Sequence, residues 1–177
     1  MKINKLFTET GFKWLWLTVL FLIIDQVTKQ LVVNSFDLYE SMNILPFFDL
    51  RYVQNPGAAF SFLADQDGWQ RWFFTIIAAI ASVVFLVWLA KTPKNNALLS
   101  IALAFMLSGA VGNLIDRALF GYVIDFLDFY IADNHWPAFN VADSAIFIGA
   151  ALMIFDSFKN GDSAKKTEIT KTKVDEK

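Results

Sequence analysis

The sequence predicts an α-helical integral membrane protein with four transmembrane helices, a small extracytoplasmic β-hairpin or sheet and an aromatic-rich outer loop. Three observations predict it. The chain of 177 residues is 56% hydrophobic and only 18% charged, against roughly 25% charged in a soluble domain. Residues 72–90 and 97–115 each run without a charge for the ~20 residues that a hydrocarbon core demands. Every lysine except Lys29 falls on one side of a four-span arrangement, and the positive-inside rule makes that side cytoplasmic.

The first span, 14–33, is apolar but interrupted by Asp25, Gln26 and Lys29. Lys2 and Lys5 before it mimic a signal peptide, yet Asp25-Gln26-Val27-Thr28-Lys29 offers no small-residue cleavage site, so the span is expected to be retained. In the outer loop 34–68, Phe48, Leu50 and Tyr52 alternate with Asp49, Arg51 and Val53, the period of a short strand. Asn55-Pro56-Gly57 then forms a turn, and 58–63 is expected as the return strand. The second span, 70–90, carries Trp69 and Trp72 at one end and Trp88 at the other, as interfacial belts do. In the third, 97–116, Ser100, Ala104, Ser108 and Gly112 recur every four residues, a ridge of small side chains that lets helices approach closely. The outer loop 117–141 holds Phe126, Phe129, Tyr130 and Trp136, the composition of a segment that rests on headgroups or caps a cleft. The fourth span, 142–158, completes a single membrane domain over 1–158. The tail 159–177 is charged and lacks aromatics, so it is expected to be disordered and cytoplasmic.

Composition also narrows the chemistry. The chain has no cysteine and one histidine, His135, whereas zinc sites and serine–histidine relays need more of these residues. A formal net charge of −2 argues against nucleic acid, which calls for a basic face. What remains is carboxylate chemistry. On a helix rising ~1.5 Å per residue, Asp25 lies past the midplane and Lys29 near the outer interface. Asn113 and Asp116 close the third span, Asn140 and Asp143 open the fourth, and Asn55, Arg117 and Asp125 belong to the outer loops. The polar residues thus gather at one depth, the outer leaflet boundary. Each also has a plainer reading. Asp25 and Lys29, four apart, can simply neutralise each other, Asp116-Arg117 can be an interfacial pair, and Asp143 can serve the helix macrodipole. Asp125 and Asp128 can be solvated loop acids, His135 a surface residue, and Asp156 an interfacial anchor.

Five runs carry a resemblance. Asp25-Gln-Val-Thr-Lys29, Asn55-Pro-Gly-Ala-Ala-Phe60, Gly112-Asn-Leu-Ile-Asp-Arg117, Val123-Ile-Asp-Phe126 and Phe139-Asn-Val-Ala-Asp-Ser144 resemble, in order and spacing, the motifs of the signal peptidase II family, bacterial aspartic peptidases of the cytoplasmic membrane. The resemblance implies Asp125 and Asp143 as a catalytic dyad. It implies Asn113, Asp116, Arg117 and Asn140 as their support, with Asp25, Lys29, Asn55, Gly57, Gly112 and Ala142 also in the motif set. The implied reaction cuts the signal peptide from a membrane-bound, diacylglyceryl-modified prolipoprotein just before the lipid-bearing cysteine. No metal or cofactor is expected, and bilayer lipid is the only other partner of a monomer. The rival reading is a proton-coupled membrane transporter, since intramembrane Asp and Lys also mark ion paths.

Overall fold

The computed structural model describes residues 3–57 and 69–175, with side chains described over 5–57 and 69–159. A short helix α1 (Ile3–Glu9) and a 3₁₀ turn (Gly11–Trp14) lead into α2 (Leu15–Ser35). Helices α3 (Trp69–Lys91), α4 (Ala97–Leu119) and α5 (Val141–Asp175) follow, and the four long helices each contain a segment apolar and long enough to cross a membrane. Their outward faces carry unshielded Ile23, Ile76, Ile80, Val83, Phe147 and Phe155, as lipid-facing positions must.

The four helices are not equivalent. α4 is the hub: eleven of its residues are buried, against Gln70, Ser82 and Leu89 in α3. Its predicted ridge explains part of this. Ser100 and Ser108 turn their hydroxyls back to the carbonyls of Asn96 and Phe105, so they pack as small residues. Thr18 of α2 donates to the Ala104 carbonyl across the ridge at 3.0 Å. A second small face meets α5, where a Cβ on Gly109 would lie 2.2 Å from the Ala142 carbonyl oxygen. Leu89, Leu103 and Leu107 form the buried apolar centre between α3 and α4.

Above the bundle lies an antiparallel sheet in the order β1 (Ser41–Leu45), β2 (Phe48–Asn55), β3 (Val123–Ile131), β4 (Asn134–His135). The predicted strand over 48–53 is β2. Its hairpin partner, however, is the preceding β1, and its other neighbour is β3 from the second outer loop. The expected return strand over 58–63 lies outside the described residues. Val123–Ile131 pairs as a strand because apolar β-branched and aromatic residues dominate it. Val32, Tyr52, Ile124 and Phe126 pack together and seat the sheet on α2. Beyond the fourth span, α5 remains helical to Asp175, where the tail was expected to be disordered. Lys and Glu there favour helix once a span has nucleated it. Asp156, near the inner end of the fourth span, is buried.

Candidate active site

Asp125 reaches the site through an irregularity in the sheet. In a regular strand Asp125 and Asp128, three apart, would face opposite ways. Here the backbone N–H groups of Phe126 and Leu127 both donate to the Phe139 carbonyl, the signature of a bulge, which re-aims the residues beside it. On the other side, Arg51 and Tyr52 of β2 stand opposite Phe126 alone, between the pairs Leu50–Leu127 and Val53–Asp125. Asp125 and Asp128 consequently line one cleft of about 410 Å³, together with Arg51, Asn55, His135 and Trp136.

Asp143 arrives by helix capping. The Asn140 side chain accepts from the Asp143 backbone N–H at 2.9 Å, and the Asp143 carboxylate accepts from the Asn140 backbone N–H at 3.2 Å. This is a reciprocal capping box that starts α5. The same Asn140 donates its side-chain amide to Asp125 at 2.6 Å, so one asparagine touches both carboxylates. Asn113 donates to the other oxygen of Asp143 at 2.7 Å, and Asn55 to the other oxygen of Asp125 at 2.9 Å. Asn55 is itself oriented by accepting the Gly57 N–H at 2.9 Å. Gly57 is required twice over, since its φ is +111° and a Cβ would sit 2.4 Å from the Phe74 ring.

Among the described residues neither carboxylate makes an ion pair. Burial, and then the charge of Asp143, push Asp125 up to about 7, against the opposing pull of the Asn55 and Asn140 hydrogen bonds. A carboxyl so placed can keep a proton near neutral pH.

The predicted pair of Asp25 and Lys29 is present, and Asp116 joins it as a third member. The Lys29 ammonium lies 2.9 Å from Asp25, 2.8 Å from Asp116 and 3.1 Å from the Asn113 side-chain oxygen Oδ1. All three of its protons are engaged in a site that is 0% exposed. Gly112 admits this group, because a Cβ there would come within 2.6 Å of an Asp25 oxygen. Ala142 contributes its backbone N–H to Asp25 at 2.8 Å. Arg117 lies within electrostatic reach of Asp143, Asp125 and Asp116, stacks its guanidinium over Phe74, and has a buried Nε with no hydrogen-bond partner among the described residues. Every predicted site residue is therefore in or beside one polar network.

Two features escaped the sequence reading. Gln26 donates to both Asp25 and Asp116, at 3.1 and 3.0 Å. Its place beside Asp25 in the first run was the available signal. Asp128 is not a solvated acid: it is buried, its oxygens each 2.9 Å from Nδ1 of His135, with Arg51 at 3.7 Å. His135 is correspondingly a cleft residue.

The comparisons with known proteins agree with this geometry. A family model described as signal peptidase (SPase) II matches residues 17–159. The chain is 58% identical over 164 residues to the lipoprotein signal peptidase of Alteromonas mediterranea, covering 93% of this chain and 89% of that protein. It is 54% identical over 158 residues to that of Shewanella amazonensis, covering 89% and 94%. A solved bacterial membrane enzyme, determined by the in meso method at 2.3 Å resolution, superposes with a TM-score of 0.74 at 32% identity, over 85% of this chain and 90% of that one. These relatives do not favour the transporter reading. With a buried Asp125 and a partly buried Asp143 joined by one asparagine, the chain belongs to the signal peptidase II family of membrane aspartic peptidases.

Proposed function

We propose that the chain removes the signal peptide from diacylglyceryl-modified prolipoproteins, cutting on the N-terminal side of the lipid-modified cysteine, with Asp125 and Asp143 as the catalytic pair. The observation that carries this reading is Asn140, which holds Asp125 by its side chain and Asp143 by its backbone N–H. Two carboxylates held close by neutral amides cannot both ionise cheaply, so they share a proton. The ionised carboxylate takes a proton from water as the water oxygen attacks the scissile carbonyl. The protonated one polarises that carbonyl and neutralises the developing oxyanion. The proton drawn from water then passes to the leaving amine as the C–N bond breaks, and no covalent intermediate forms.

The enzyme acts as a monomer in the bacterial cytoplasmic membrane, with both termini cytoplasmic and the dyad at the outer leaflet boundary. The lysine distribution supports that orientation. A dyad at this depth reaches only a bond held there, and a diacylglyceryl anchor supplies that depth. The test is incubation of the purified protein with lipidated and unlipidated precursor, followed by mass spectrometry of the new N-terminus. The expected product of the lipidated precursor begins at the modified cysteine. Equal cleavage of both precursors sinks the reading.

A further inference from the structure

The proposed dyad is divided between two bodies: Asp125 rides on β3, above the bundle, and Asp143 on the first turn of α5. The site works only if sheet and helix are held in register. Asp116 accepts the backbone N–H of Ile124 at 3.2 Å, and Asp25 accepts the backbone N–H of Ala142 at 2.8 Å. Ile124 and Ala142 are the residues immediately before Asp125 and Asp143. The other oxygen contacts of both carboxylates go to the same two groups, the Lys29 ammonium and the Gln26 amide. Asn140 completes the hold by donating to the Ile124 carbonyl at 3.3 Å. The Ile124 peptide is therefore tied at its N–H and at its C=O.

We infer that Asp25, Gln26, Lys29 and Asp116 form a clamp on the backbone that sets the separation of the two aspartates, making these four positioning residues for the reaction. This rests on the dyad reading above. A simple membrane-buried ion pair would need one carboxylate per ammonium, and Asp25 with Lys29 already meets that need. The second carboxylate, on another helix, and the gripping of the two equivalent backbone positions are what an ion pair leaves unexplained. A first-turn N–H such as that of Ala142 has no partner within its own helix, so a carboxylate from α2 fixes the helix start in place.

The test uses the full-length protein with a lipidated precursor. Asp116→Ala and Asp25→Ala each leave Lys29 one carboxylate, so neither strands a buried cation. Each is expected to lower kcat by about 100-fold, the usual cost of a ~1 Å misplacement, with KM nearly unchanged. Asp116→Asn keeps an oxygen for the Ile124 N–H, while its NH₂ group gives up the hydrogen bond that Asp116 accepts from Gln26. It is expected to return kcat to within about tenfold of the parent, since a neutral acceptor is weaker than a charged one. Gln26→Leu is expected to cost less than either alanine variant. A parental kcat in Asp116→Ala, or an Asp116→Asn variant as impaired as Asp116→Ala, overturns the clamp. Should Asp116→Ala fail to fold, amide hydrogen exchange decides. The Ile124 and Ala142 N–H groups are expected to be strongly protected in the parent, and Ile124 to remain so in Asp116→Asn. Exchange at the rate of exposed loop amides in the parent overturns the inference. The exchange result is independent of catalysis, so a failure of the dyad reading would show separately, as turnover retained in Asp125→Asn and Asp143→Asn.

Discussion

Asp25 and Asp116 lie against the ammonium of Lys29, whereas Asp125 and Asp143 are held by the amides of Asn55, Asn113 and Asn140. All four belong to one network, and Asn113 joins the halves by accepting from Lys29 and donating to Asp143. What differs is the charge of the donor. An ammonium holds a carboxylate by charge as well as by hydrogen bond. A neutral amide orients a carboxylate by hydrogen bond alone. The same residue type thus serves as fixed scaffold on one side of Asn113 and as acid–base equipment on the other.

The comparison breaks most visibly in activity. Asp125→Asn and Asp143→Asn are each expected to lower turnover by about 10²–10⁴-fold while leaving the fold intact, because each keeps shape but loses the shared proton. The double variant should be little worse than either, as expected for groups that act as a unit. Near-parental cleavage in one single variant would remove that residue from the pair.

On the scaffold side the expected loss is in stability. Lys29→Met strands Asp25 and Asp116 and should cost about 3–5 kcal/mol, read by denaturant unfolding in mixed micelles. A pairwise view of Asp25 and Lys29 predicts recovery in Asp25→Leu/Lys29→Met. The structure predicts only partial recovery, because Asp116 stays buried without its cation and the Ala142 N–H loses its acceptor. Full recovery in the double variant would reduce the group to a pair. Gly112→Ala probes the same side more gently. Its Cβ would press on an Asp25 oxygen, and such overpacking should cost about 1–3 kcal/mol.

The last contrast is in pH dependence. Asp125 is raised from an ordinary 3.8 to about 7 by burial and by the charge of Asp143. Between those values the folded chain holds a proton that the unfolded chain releases. This group's contribution to stability is therefore complete below pH 3.8 and is lost as pH rises through about 7. Asp125→Asn removes the dependence, so it should gain on the parent in thermal unfolding above pH 7, the gap closing below pH 4. Parental turnover should fall over the same upper range as Asp125 loses its proton. An Asp125→Asn unfolding profile that tracks the parent at every pH contradicts the assignment.

Much of this architecture was legible locally. A bilayer leaves few choices to a long charge-free segment, so span number follows from length and hydropathy. The unlike roles of α3 and α4 were also foreshadowed, by the small-residue ridge that only α4 carries. The absence of cysteine and the single histidine left carboxylates as the available equipment, and their positions along the spans brought them to one depth. Pairing between distant segments was not legible. Among the described residues β2 takes its partners from 41–45 and from 123–131, and the second of these lies about 70 positions away, beyond the reach of any local signal. Strand alternation likewise sets Asp125 and Asp128 on opposite faces, and only the bulge made by two N–H groups sharing the Phe139 carbonyl puts both in the cleft. Lys29 reads as the partner of Asp25 because four residues separate them. That Asp116, 87 positions away, lies equally close, and that Gln26 spans both, followed from the approach of α4 to α2 at Gly112. Which acceptor a buried donor finds depends on which backbones come close enough to offer one, and that is decided by packing between helices rather than within them.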